Sequence, residues 1–142
     1  MKTTVLMIGD WMRHANGKCY QVTRIDGLSD GNMHFACGTP HLWEYNNKFE
    51  PIPLTEKILL ANGFEKIKPN GYTSPRQEYA YCTDFEDVYA EEINDGTWKI
   101  DVDYVEFDLP RRTMFASYVH ELQHVLKMCA VDMEIIVKED GE

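Results

Sequence analysis

The spacing of apolar and polar residues along this 142-residue chain changes character twice. From residue 8 to 53 it is that of short strands. Ile8-Gly9-Asp10-Trp11 opens the first, Ala15-Asn16-Gly17 turns the chain, and Lys18–Asp26 follows with Tyr20, Val22 and Ile25, which favour strands. Asn16-Gly17 between two such runs predicts a hairpin with a type I′ turn, in which both central residues need positive φ. Ser29-Asp30-Gly31-Asn32 reads as a second turn, after which Met33, Phe35 and Cys37 alternate onto one face. His41–Tyr45 and Phe49–Ile52 complete about five strands, with Pro40, Pro51 and Pro53 at their edges. A small SH3-like β-barrel is the natural closed arrangement for strands of that number and length.

Residues Leu54 to Phe64 have the punctuation of a short helix. Thr55 is a good N-cap, Leu54 sits at the staple position, and Glu56 suits the positive end of the dipole. Gly63 fits the left-handed C′ site, and Phe64 can fold back on Leu59 or Leu60. Lys68-Pro69-Asn70-Gly71 predicts a turn and a module boundary. Beyond it, 78–93 and 97–107 read as a hairpin across Asn94-Asp95-Gly96. Phe85, Tyr89 and Ile93 share one face, and Trp98, Ile100, Val102 and Tyr104 share another. The pattern slips at Val105 and Phe107, which predicts a bulge or a strand end. From about Ala116 to Ala130 the period becomes helical. Tyr118, Val119, Leu122, Val125, Leu126 and Cys129 form its stripe, with Ser117 as N-cap. Met133, Ile135 and Val137 suggest a last strand before an acidic tail, Glu139-Asp140-Gly141-Glu142, expected to fray. The fold class predicted is α+β, with an SH3-like module plus short helix over 1–68 and an acidic hairpin with its C-terminal helix over 69–142. The whole could form one compact domain.

Charge sharpens this division. The net charge of −10 is carried by one half: residues 1–71 sum to +1, and residues 72–142 to −11. Between Asp84 and Asp108 ten acids stand against Lys99 alone. A nucleic-acid binder normally presents a basic patch, so direct nucleic-acid binding is not expected of this half. An acidic face can instead attract a basic partner or imitate a phosphate backbone, and it is also an ordinary way to solvate a surface. The four cysteines (Cys19, Cys37, Cys82, Cys129) lack C-x-x-C spacing, so reduced thiols in a cytosolic protein are expected. No signal peptide or membrane-length apolar run occurs, which also points to the cytoplasm.

One motif names a chemistry. His120-Glu121-Leu122-Gln123-His124 spells H-E-x-x-H, in which two histidines one helical turn apart bind zinc and the glutamate activates the metal-bound water. Three arguments weigh against it. With Leu122 at zero and 100° per residue, His120 and His124 fall at roughly +160° and −160°, away from the apolar stripe and toward solvent. A catalytic zinc needs a third protein ligand. Lys127 and Ala130 stand where the extended motif has glycine and histidine, while Asp132, Glu134, His14, His34 and His41 are poorly placed to help. Random order in a chain of this composition also gives the pattern in roughly one or two cases per hundred. The expectation is therefore no metal, no cofactor and no enzyme, with a zinc-dependent hydrolase using His120, His124 and Glu121 as the alternative.

Three blocks carry a family resemblance. They are Ile8-Gly9-Asp10-Trp11; Phe49-Glu50-Pro51-Ile52-Pro53-Leu54-Thr55-Glu56 with Leu59-Leu60 and Gly63-Phe64; and Tyr118-Val119-His120-Glu121-Leu122-Gln123. Together they resemble a group of short uncharacterised proteins found in prophages and mobile elements of Bacteroides-like gut bacteria. The resemblance leaves out the acidic hairpin. It implies no activity, cofactor or catalytic residue, and that family usually has asparagine where His124 stands here. In that setting Tyr118, Val119 and Leu122 are packing residues of a C-terminal helix.

No Gly-rich phosphate loop, nucleophile elbow or EF-hand loop is present. Trp11, Trp43, Tyr20 and Tyr45 could line a recognition groove or fill the core of the first module. Arg111-Arg112 reads as a surface pair. The function expected is that of a non-enzymatic accessory protein of a phage or mobile element. It would bind a protein partner, a basic one being the natural match, through an acidic face made of Glu86, Asp87, Glu91, Glu92, Asp101 and Asp103, with a nucleic-acid mimic or inhibitor as one form of the role.

Overall fold

A computed structural model describes residues 6–27, 33–37, 42–67, 77–105 and 110–138, apart from the side chains of 34, 37, 42–44 and 46. The expected turns at 29–32 and 68–71, the tail 139–142, Pro40, His41 and Phe107, and the side chains of His34, Cys37 and Trp43, lie outside the described residues. The chain is mixed α+β, with two antiparallel sheets and two helices. It divides into two compact units, Met1–Ile52 with Val137–Glu142, and Pro53–Ile136.

The first unit holds β1 (Trp11–His14), β2 (Cys19–Gly27), β3 (Met33–Cys37), β4 (Leu42–Tyr45), a 3₁₀ turn (Asn46–Lys48) and β5 (Phe49–Pro51). The strand order is β4-β3-β2-β1-β5. All five strands expected are present, but β4 and β5 are the edges of an open sheet, and among the described residues no ladder joins them. Ile8-Gly9 is a turn rather than part of a strand. Buried Asp10 closes it by accepting a hydrogen bond from the Met7 N–H at 2.7 Å, and Gly9 takes a φ of +97°. The β1–β2 turn also differs from expectation. The Gly17 N–H donates to the His14 carbonyl at 2.9 Å, and only Gly17 has positive φ. The turn is thus a longer loop ending in a glycine bulge, which spares Asn16 the left-handed conformation. Met12, Val22, Phe35 and Phe49 form the core, and Tyr20 packs against it. Trp11 is half-buried, whereas Tyr45 is exposed.

The second unit holds α1 (Glu56–Ala61), β6 (Glu65–Ile67), β7 (Glu78–Cys82), β8 (Glu86–Asn94), β9 (Thr97–Tyr104), β10 (Arg112–Ala116) and α2 (Val119–Met128). Its sheet runs β10-β9-β8-β7-β6. The expected hairpin is β8–β9, turning at Asp95-Gly96 with Ile93 bulged. Its first strand is shorter than predicted, because Thr83 interrupts it. The Thr83 hydroxyl accepts from the N–H groups of Phe85 and Glu86, ending β7 and restarting the chain as β8. In β8, Val88 and Ala90 are buried, so Tyr89 lies on the opposite side with Asp87 and Glu91. In β9, Trp98, Ile100 and Val102 are buried as the alternation required.

Both helices follow their punctuation closely. In α1, Thr55 Oγ1 accepts from the Ile58 N–H at 3.3 Å, Gly63 has φ +91°, and the Phe64 N–H returns to the Leu59 carbonyl at 3.1 Å. In α2, Val119, Leu122, Val125 and Leu126 are buried. Its N-cap is Tyr118 rather than Ser117, and Ala130 takes the left-handed C′ position at φ +57°. The last strand predicted around Met133 and Ile135 joins no ladder among the described residues, and the Met133 N–H turns back to the Val131 carbonyl at 3.0 Å. An amide side chain holds it instead. Asn62 Nδ2 donates to the Ile136 carbonyl at 2.9 Å, and Asn62 Oδ1 accepts from the Ile136 N–H at 2.7 Å.

Candidate interaction face

The pleat decides which acids can act together. Across β8 and β9, Asp87 pairs with Asp103, Tyr89 with Asp101, and Glu91 with Lys99. Alternate residues share a face, so Asp87, Glu91, Asp101 and Asp103 stand on the outer side of the sheet. Glu86 and Glu92 differ in parity on β8 and belong to the other side. The structure therefore brings four of the six acids together and separates two. Glu86 accepts from the Thr83 hydroxyl at 2.7 Å, and Glu92 from the Gly96 N–H at 3.2 Å.

The four are not equivalent. Asp101 is only 8% exposed. It accepts a short hydrogen bond from Thr113 Oγ1 on β10, with Lys99 Nζ at 3.7 Å and an Arg111 nitrogen at 3.9 Å. Arg111 also reaches Asp103 at 3.5 Å and lies over the Tyr89 ring, 5.3 Å from its centroid. The expected plain surface pair Arg111-Arg112 thus contributes one residue that gathers the outer face. Sequence reasoning missed Thr113, Arg111 and Tyr89 as members of this group. The signal that could have found them is the alternating stretch Arg112–Ala116, which follows Pro110 closely. Burial, and then the Asp87 carboxylate, push the Tyr89 phenol up from its ordinary value. Burial and a hydrogen bond donated to the Asp87 carboxylate do the same to the Cys82 thiol, which holds that exposed cysteine as the less reactive protonated form.

Like charges face each other directly at two places on this side, Asp87 against Asp103 and Glu78 against Glu91. Such pairs destabilise a sheet by roughly 0.2–1 kcal/mol each.

The H-E-x-x-H segment forms the first turns of α2, and one part of its reading needs correction. His120 is buried at 1% exposure, not turned to solvent. Tyr118 stacks on its ring at 5.9 Å, nearly parallel, and His124 meets it edge-on at 5.7 Å. The helix is covered on a second side, which a wheel drawn from its own residues does not register. The Glu121 carboxylate accepts from the N–H groups of Ser117 at 3.0 Å and Tyr118 at 3.2 Å. That is the glutamate half of a capping box, and it turns the carboxylate toward the start of the helix. Among the described residues, no three His, Cys, Asp or Glu side chains converge as metal ligands. Among the same residues, no helix is long and apolar enough to cross a membrane.

Comparison with protein-family models, with curated proteins and with solved structures gave no match.

Proposed function

We propose that this chain is a non-enzymatic accessory protein of a phage or mobile element that binds a basic protein partner. The contact face is the outer side of β8, β9 and β10, centred on Asp87, Asp103 and Glu91. The observation that carries the reading is the pair of like-charge positions, Asp87 opposite Asp103 and Glu78 opposite Glu91. Repulsion of that kind works against the isolated sheet and is relieved when a cationic surface covers it. A row of carboxylates can also imitate a phosphate backbone, and an inhibitor of a nucleic-acid-binding protein is one form of the role. The phage or mobile-element setting is supported by the three sequence blocks described above. For the first unit we adopt an SH3-like reading, supported by its strand order and by the 3₁₀ turn that precedes β5.

The test separates stability from binding. Asp87→Asn removes a repulsion while keeping a side chain of the same shape. It should raise stability by about 0.2–1 kcal/mol while weakening capture of the partner from an extract of the native host. Asp87→Lys with Asp103→Lys should abolish capture, and wild-type binding should fall steeply with added salt. Capture indifferent to both salt and charge reversal rejects the proposal.

A further inference from the structure

A cleft of about 330 Å³ opens beside the start of α1, away from the outer acidic face, and among its lining residues are Thr55, Glu56, Gln77, Tyr79, Glu92 and Trp98. Two of these are carboxylates and none is a cation. The two carboxylates are differently placed. Glu56 already holds an ammonium group, that of Lys66, at 2.7 Å. Its carboxyl lies below the ordinary range because of that contact, so it is ionised. Glu92 accepts one backbone N–H, and among the described residues it has no cationic partner. The aromatic part of the lining is rigid. Tyr79 and Trp98 are 4% and 3% exposed, with ring centroids 5.7 Å apart, and the indole N–H is fixed to the Leu54 carbonyl at 2.9 Å. Burial and a hydrogen bond donated to Glu56 hold the Tyr79 phenol in its protonated form, so it adds no charge.

We infer that this cleft binds a primary ammonium group carried on an alkyl stem, as in a lysine side chain. Glu92 takes the charge, and the stem lies in the cleft that Tyr79 and Trp98 line. A charge-assisted hydrogen bond to a carboxylate is among the stronger polar contacts, and apolar stems favour such surfaces. A guanidinium fits less well, because its planar fork is best met by a free bidentate carboxylate and Glu56 is engaged with Lys66. The inference rests on the cleft alone and stands apart from the outer face, which carries different residues.

The Trp98 indole resonance reports occupancy directly, and Trp98→Phe assigns it among the three tryptophans of the chain. In ¹H–¹⁵N spectra of the full chain, n-butylammonium should shift this resonance saturably with a Kd in the millimolar range, the scale expected of a ligand with so few atoms. The neutral n-butanol should bind at least ten-fold more weakly. Glu92→Gln, an exposed substitution, should weaken n-butylammonium about ten-fold, whereas Asp103→Asn should leave it unchanged. Tighter binding of Nα-acetyl-lysine methylamide than of n-butylammonium identifies a protein lysine as the source, and equal binding identifies a free amine. A shift that does not saturate, equal shifts from the amine and the alcohol, or an undiminished affinity in Glu92→Gln each overturn the inference. So does tighter binding of n-butylguanidinium.

Discussion

Ala130 is the one non-glycine residue among those described with a positive φ, +57°. It ends α2 in the manner usual for glycine, with the Val131 N–H returning to the Leu126 carbonyl at 2.9 Å. A methyl group in that conformation crowds the backbone by about 1 kcal/mol or more. Ala130→Gly should therefore raise stability by about 0.5–1 kcal/mol after the added flexibility of the unfolded chain is set against the relief. Chemical denaturation with an unchanged m-value checks it. Gly63 shows the converse. It has φ +91°, and a Cβ there would stand 3.1 Å from a Tyr81 ring carbon. Gly63→Ala meets both strains and should lower stability by about 1 kcal/mol or more, read in the same assay.

Among the elements, α2 shows how two readings of one sequence separate. Its stripe of Val119, Leu122, Val125 and Leu126 was legible because a period of 3.6 belongs to the chain itself. The burial of His120 was not, because what covers the back of a helix is decided elsewhere in the fold. Glu121 is the residue on which the structural and the hydrolytic readings diverge. As a cap, its replacement by alanine should cost about 1 kcal/mol, visible as a lower melting temperature in metal-free buffer. Among the strands, β9 was legible from its alternation. β6 and β10 were not, since three residues, or five that begin with Arg112 close behind Pro110, present too little apolar pattern to rise above a loop. Thr83 broke a predicted long strand by offering its hydroxyl to the backbone, the usual way a short polar side chain diverts a ladder. The acidic site failed to emerge whole for a simpler reason. Nearness in sequence does not respect the pleat, and Glu86 and Asp87 are neighbours that point apart.

Over the whole molecule, alkaline conditions should be more damaging than its acidic composition suggests. The phenols of Tyr79, Tyr89 and Tyr104 are all raised above the ordinary value of 10.0, in each case chiefly by burial. For Tyr104 the position is also structural, because its hydroxyl donates to the Cys129 carbonyl at the end of α2. A raised folded value means that the folded state holds its protons more tightly than the unfolded chain. The associated stability is complete below about pH 10 and disappears as the pH climbs through the folded values. Urea midpoints should hardly change between pH 8 and 9.5 and should fall sharply beyond. Part of the tyrosinate absorbance should appear only together with unfolding. Equal midpoints at pH 9 and 11 would show that these phenols are free to ionise in the fold.

The grip of Asn62 on Ile136 also sets how this protein ages. Asparagine followed by glycine is the pairing most prone to lose its side-chain amide, because the glycine nitrogen can attack the amide carbon without a side chain in the way. Here the amide is held by Ile136 on both sides and by the Ile58 carbonyl, and the Gly63 N–H is engaged with Leu60. The folded chain therefore shields this Asn-Gly bond, whereas Asn16-Gly17 stands exposed on the β1–β2 turn. If an opening lets the reaction proceed, the donor becomes a carboxylate facing two carbonyl oxygens, and the segment cannot be regrasped. Peptide mapping of stored samples should therefore find deamidation at Asn16 well before Asn62, and only chains converted at Asn62 should show a loosened 131–136 segment.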